Sequence, residues 1–169
     1  MSNDYQGKAF ADGIVEGFTA DATFTPVAAT YGAGDVVGTT QEMLFLNRRD
    51  QLVPEKSLIR VFSAIVKIGI AAVPSGQTGY TLQCYNVTPP SAQADNAAWT
   101  LAAGDLDSYL GSIALGSPVS FGGALYVRTQ AIDTDFRLIT PSLFTRLVTD
   151  GGHAMVATVR SVRLNAVVI

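Results

Sequence analysis

A chain of 169 residues has the length of one domain, and a domain of that size buries roughly 70% of its unfolded surface, enough for a real core. Apolar residues make up 48% of it and charged residues 15%, against about 25% charged in an average protein. The surface is therefore built largely from Ser, Thr, Asn, Gln, Gly and apolar groups, which suits a molecule partly covered by partners or a neutral, sticky domain. The net charge is −3 and Lys/Arg clusters are missing. The densest basic spot, "NRRD" at Asn47–Asp50, is flanked by acids, which excludes nucleic acid as the main partner.

Cys84 is the single cysteine. An intrachain disulfide is excluded, and in "YTLQCYNV" the residue reads as a small buried hydrophobe. The N-terminus carries no charged-then-apolar signal pattern, and no apolar run approaches the ~18 residues of a membrane span. The expectation is a protein made soluble in a cytoplasm, and the sequon "NVT" at Asn86–Thr88 reads as chance.

In chain order, residues 1–27 lack a clean period. Phe10, Ile14, Phe18 and Phe24 are anchors spaced by Gly, Ala, Asp and Thr, and the segment reads either as an extended arm that docks on a neighbour or as a first strand with a frayed start. The remainder, 28–169, reads as one β-domain. "YGAGDVVG" (31–38) is a Gly-rich turn that feeds Val36 and Val37 into a sheet, with Gly38 ending a first short strand. It is not a phosphate cradle: Asp35 has the wrong charge, no G-K-[ST] follows, and a dinucleotide fingerprint needs a helix after the glycines.

"SLIRVFSAIVKIGI" (57–70) reads as a long strand. Leu58, Phe62, Ala64, Val66, Ile68 and Ile70 share even parity, and β-branched residues crowd the segment. In the next strand Tyr80, Leu82 and Cys84 share one face, and Thr81, Gln83 and Tyr85 the other. Pro89 and Pro90 stop it and open a loop over 88–99. Leu106, Tyr109 and Leu110 at i, i+3, i+4, with Gly111 as C-terminal cap, predict a short helix near 104–110, with Asp105 and Asp107 in its first turn. Leu125 and Val127 point inward from the following strand, and Tyr126, Arg128 and Gln130 outward. Leu143, Thr145 and Leu147 alternate with Phe144, Arg146 and Val148, and Asp150-Gly151-Gly152 predicts a tight hairpin. The apolar parity switches between Met155/Ala157/Val159 and Val162/Leu164/Ala166/Val168, which predicts a bulge or a bend between two sheets near Arg160-Ser161. Short strands separated by turns, with one small helix, indicate an all-β sandwich or barrel.

The chemical inventory is thin. His153 is the sole histidine and no G-x-S-x-G elbow accompanies a serine, so it reads as a surface or edge residue beside a turn. One Cys and one His do not make a zinc site. "DTD" (Asp133, Asp135) and "DLD" (Asp105, Asp107) lack the further oxygen donors of a calcium loop; the first reads as a solvated loop, the second as helix N-terminal acids. Carboxylate pairs for glycoside hydrolysis are possible among fourteen acids, without any specific signal. The expectation is a non-enzyme with no cofactor and no metal.

Residues 28–166 resemble a family of tailed-bacteriophage head proteins that decorate or cement the capsid. The resemblance lies in Tyr31, Gly34, Asp35, Val36, Val37 and Gly38, in Asp95 to Trp99 ("DNAAW") after a Pro-containing loop, in the acidic stretch Asp105 to Gly111, and in a closing pair of strands. The chain departs from the pattern in its longer segment before residue 26, in "RTQAIDTDFRLITPS", which looks like an enlarged loop, and in Cys84-Tyr85. The resemblance implies a β-sandwich, often jelly-roll-like, on the outside of a phage shell assembled in the bacterial cytoplasm. It implies that major capsid protein is the partner and that the protein is a homo-oligomer, dimer or trimer, with no role for nucleic acid or membrane. The residues expected at contacts are Phe10, Ile14, Phe18, Phe24, Asp95, Asn96 and Trp99. For Trp99, a plug beneath its loop competes with a contact role. The alternatives are a tail, baseplate or head-fibre module, and a carbohydrate-binding or hydrolytic β-sandwich, which would need an aromatic-lined groove with paired carboxylates.

Overall fold

The computed structural model describes residues 16–169. Eleven strands run through them: β1 (Gly17–Phe24), β2 (Ala29–Tyr31), β3 (Val36–Leu44), β4 (Leu58–Ile68), β5 (Tyr80–Tyr85), β6 (Tyr109–Ala114), β7 (Val119–Ser120), β8 (Leu125–Arg137), β9 (Ser142–Thr149), β10 (His153–Met155) and β11 (Arg160–Val168). They form one sheet in the order β1-β11-β4-β8-β7, a second in the order β3-β9-β5-β6, and a small β10-β2 pair. All pairings are antiparallel. The chain crosses repeatedly between the two large sheets, and the order 1-11-4-8 facing 3-9-5-6 is that of a jelly roll. The fold is an all-β sandwich.

The core lies between the sheets. From the first come Phe18, Ala20, Ala22 and Phe24 of β1, Val162, Leu164 and Ala166 of β11, and Val61, Ala64, Val66 and Ile68 of β4. Val37, Met43, Leu82, Cys84, Ile113, Leu143 and Leu147 face them from the second. Burial holds the Cys84 thiol well above its ordinary pKa, so it packs as a hydrophobe.

Several expectations change in detail. The even-position face of β4 holds for Ala64, Val66 and Ile68, whereas Leu58 and Phe62 are exposed and Ile59 and Val61 are buried instead. The cause is a register shift at Phe62 against both neighbours, which turns the strand over. The expected helix at 104–110 is a single 3-10 turn, Ala103–Asp105, and from Tyr109 the chain is already strand. Gly111, with φ +118, serves a register shift opposite Cys84/Tyr85 rather than a helix cap. "RTQAIDTDF" belongs to β8, not to an enlarged loop; the strand absorbs extra residues as a bulge in which Ala131 and Asp133 take positive φ.

Gly38 does not end its strand. It lies inside β3 at an irregular register, with φ +71. The hairpin expected around Asp150-Gly151-Gly152 does not form: β9 pairs with β3 and β5, and β10 pairs with β2. The glycines have another use. A Cβ on Gly151 would lie 2.3 Å from the Gly76 carbonyl oxygen, and one on Gly76 2.2 Å from that of Gly152, so two backbones are pressed together there. The parity switch before Arg160 is a bend between sheets, since β10 belongs to the small pair and β11 to the first large sheet.

Phe24 pairs with Arg160, Arg160 with Ile68, and Ile68 with Leu125. In the other sheet Val36 pairs with Val148 and Tyr80 with Thr149. The connections 25–35, 69–79, 115–124 and 150–159 therefore emerge together at one end of the sandwich, and 45–57, 86–108 and 138–141 at the other.

Candidate functional site

Two of the stretches that carry the family resemblance, 31–38 and 95–99, come to one place. Residues 34–36 run between β9 and the 96–99 segment. Gly34 N–H donates to Thr149 (2.8 Å), Trp99 N–H to Gly34 (2.8 Å), Val36 N–H to Ala97 (2.9 Å) and Asn96 N–H to Val36 (2.9 Å). The turn before them is closed by Asp35, whose carboxylate accepts Gly32 N–H at 2.6 Å. Asp95 then clamps the assembly. Its Oδ1 accepts the Tyr31 hydroxyl at 2.6 Å and Gly38 N–H at 2.7 Å, and its Oδ2 accepts Val27 N–H at 2.6 Å. Burial first, and then the Asp95 carboxylate, raise the Tyr31 phenol well above its ordinary pKa. Asp35 and Asp95 are thus structural acceptors.

The 86–108 connection folds over the outer face of the second sheet. Beneath it Arg146 of β9 and Asp105 are both fully buried, with Nη1 and Oδ2 3.4 Å apart. Arg146 also donates to Thr40 Oγ1 (3.1 Å) and to the Ser91 carbonyl oxygen, and its guanidinium lies 5.3 Å from the Tyr85 ring centroid. Asp105 Oδ1 accepts Ser91 N–H at 3.0 Å. One ion pair with its own hydrogen bonds therefore ties strap to sheet. Asp105 is neither a helix acid nor a calcium ligand. Sequence reasoning passed over Arg146; its signal is a lone charge among Phe144, Leu147 and Val148 in a central strand.

Trp99, half-buried, sits at the edge of this strap. Its indole N–H donates to the Tyr85 hydroxyl at 3.2 Å, and its ring lies 6.0 Å from that of Tyr109, which is 5.4 Å from Tyr85. These aromatics pack on one another, and the nearby Asp105 is committed to Arg146. Asn96 is half-buried with φ +61, a turn residue of the same segment. Phe18 and Phe24 do not present a surface: both are interior residues of β1, 5% and 0% exposed. Phe10 and Ile14 lie outside the described residues. Asp133 and Asp135 are exposed members of β8 rather than loop residues, gripped by Arg60 Nε at 3.1 and 2.7 Å, and that contact holds Asp135 below its ordinary carboxylate pKa.

His153 is buried, not a surface residue. Its Nδ1 lies 3.0 Å from the Gly151 carbonyl oxygen, which can only accept, so Nδ1 carries the proton and Nε2 is left as an acceptor. Burial, and secondarily the charge of Arg160, lower its pKa. Arg160 is fully buried and donates to Tyr80 Oη (3.5 Å), Val156 O (2.8 Å) and Thr158 O. Among the described residues no three of His, Cys, Asp and Glu come close enough to hold a metal ion, and no helix is long and apolar enough to cross a membrane.

Fold and site together define a jelly-roll sandwich in which Asp35, Asp95, Asp105 and Arg146 hold its connections in place. No protein-family model matches the chain, and no curated protein does. Among solved structures it is similar to a chain of the acidic stable capsid of Helicobacter pylori bacteriophage KHP30, at 9% identity and TM-score 0.33 over 91% of each chain. It is also similar to a chain of the Triatoma virus empty capsid, at 11% identity and TM-score 0.27 over 90% of this chain and 86% of that one. Both superpositions are loose, and the jelly-roll assignment rests on strand order.

Proposed function

We propose that the protein is a structural component of a tailed-phage particle that binds the outside of the shell built by the major capsid protein, decorating or cementing it. The observation that carries this reading is the convergence on Asp95. The residues behind the resemblance, Tyr31 to Gly38 and Asp95 to Trp99, lie far apart in sequence yet form one hydrogen-bonded unit, so they are matched as parts of one folded device. Support comes also from a rigid two-sheet body and a weakly charged surface, which suit a module that spends its life covered.

The reading is tested on particles. Virions carrying the chain are purified, its copy number is measured by quantitative mass spectrometry, and it is located by cryo-electron microscopy. A cement protein is expected on the shell exterior in copies proportional to the capsid lattice. A few copies per particle would move it to the tail or baseplate, and absence from intact particles would overturn the proposal.

A further inference from the structure

Arg146 and Arg160 are both buried, and a buried charge is costly unless it is paired. Arg146 has the Asp105 carboxylate. Arg160, where β11 begins, has no carboxylate oxygen within ion-pair distance among the described residues. Its Nη1 donates to the Val156 and Thr158 carbonyls and its Nε to Tyr80 Oη at 3.5 Å, while its Nη2 is buried without a partner.

Two side chains on adjoining segments share this condition. Gln77 is 8% exposed, and neither its Nε2 nor its Oε1 has a partner; His153 is 3% exposed, and its Nε2 has none. The segments are pressed together. A Cβ on Gly76 would lie 3.8 Å from His153 Cβ, and one on Gly151 2.7 Å from Thr78 Oγ1. Tyr80, three residues beyond Gln77, reaches Arg160, and the charge of Arg160 acts on His153. Among the described residues, four of the five unpartnered buried side-chain atoms belong to these three residues, and a native interior leaves such groups without an explanation only rarely.

We infer that Arg160, Gln77 and His153 form a buried site for a small monovalent anion of the halide class. Arg160 Nη2 supplies the charge and a donor, and Gln77 Nε2 a second donor. A single negative charge matches the one guanidinium, and close backbone packing favours a small ion over an oxyanion. The carboxylates of this end are engaged elsewhere: Asp95 by Val27, Tyr31 and Gly38, Asp35 by Gly32, and the exposed Asp150 by the Thr81 hydroxyl. His153 couples the site to protons. Its Nδ1 proton is committed to the Gly151 carbonyl, so Nε2 of the neutral ring is an acceptor that opposes an anion, whereas in the protonated ring the same atom is a third donor. The charged group acting on the ring is Arg160 of β11; Tyr31, across the β2–β10 pair, has its phenol held well above its ordinary pKa, and Gln77 does not titrate. Arg160 opposes the imidazolium, and an anion offsets that repulsion, so anion and proton are taken up together. The inference is independent of the virion reading, since it concerns the isolated protein.

The test is thermal unfolding of the full chain in sodium chloride against sodium gluconate, a bulkier anion, at equal ionic strength from about pH 7.5 to 5.5, across the ordinary histidine range. Chloride is expected to raise the melting temperature above that in gluconate. Its apparent Kd is expected to tighten roughly tenfold per pH unit as the pH falls towards the folded pKa of His153, one proton entering with each anion. Gln77→Glu, of the same shape, brings its own carboxylate to the cluster and is expected to abolish the chloride effect. His153→Gln is expected to abolish its pH dependence, and Arg49→Gln, at the opposite end, to change neither. Identical melting in the two salts at every pH would overturn the inference and leave the cluster to water. So would a chloride effect that ignores pH, or one that Gln77→Glu and His153→Gln leave as it is in wild type.

Discussion

Asp95 receives three donors, the Tyr31 hydroxyl and the backbone N–H groups of Val27 and Gly38. Asp95→Ala is expected to cost about 2–3 kcal/mol in urea unfolding, the range for hydrogen bonds to a charged group. An unchanged midpoint would mean that water replaces the carboxylate at no cost. The Arg146–Asp105 pair makes a sharper case because both partners are buried. Asp105→Leu leaves an unpaired buried guanidinium and is expected to cost about 3–5 kcal/mol, while Arg146→Met with Asp105→Leu recovers much of that loss. A double-mutant cycle reads the difference. His153 adds a pH dependence. Around it stand Arg160 of β11 and Tyr31 of β2. Its folded pKa is lowered, so the unfolded chain takes up the proton first, near the ordinary value of about 6.5. The stability due to this group is complete above that pH and is lost as pH falls through the folded value. The urea midpoint is expected to drop as pH falls below about 6.5, and His153→Gln to flatten that drop.

At the scale of elements, the alternation of apolar residues was readable wherever a strand is regular, as in β5, β9 and the second half of β4. It failed where a register shift inverts the faces, because the pattern on either side of Phe62 is apolar at both parities and no local signal marks the extra residue. The 104–110 stretch failed for a related reason. Leu106, Tyr109 and Leu110 fit a helical stripe, but Tyr109 is held by strand pairing to Tyr85 and Leu106 is exposed, so tertiary pairing overrode a weak local period. The glycine-rich turn after β9 was legible as a place needing glycine, though the need is close backbone approach rather than a hairpin. Gly76→Ala, at φ +89 and 2.2 Å from a carbonyl oxygen, is expected to destabilise the protein by at least about 2 kcal/mol. Gly104→Ala, with open space at its Cβ, is expected to stay within about 0.5 kcal/mol; comparable losses in the two melts would contradict the packed-backbone account.

For the whole molecule, the two ends of the jelly roll divide the work. One end carries the charged 45–57 connection and the buried Arg146–Asp105 pair beside it; at the other, the Asp95 carboxylate ties the 95–99 stretch to Val27, Tyr31 and Gly38.

The sequence by itself determined an all-β chain, a Cys84 that packs as a buried hydrophobe, and a bulge or bend near Arg160-Ser161. Those features follow from period-two patterning, turn chemistry and composition, which act locally or over the whole chain at once. The tertiary structure alone decided that Phe18 and Phe24 are core rather than contact residues, that Arg146 finds Asp105, that His153 is buried beside Arg160, and that the 31–38 and 95–99 stretches meet at Asp95. Each of these depends on which distant strand becomes a neighbour. That choice is set by the summed packing of both sheets, and no single segment carries it.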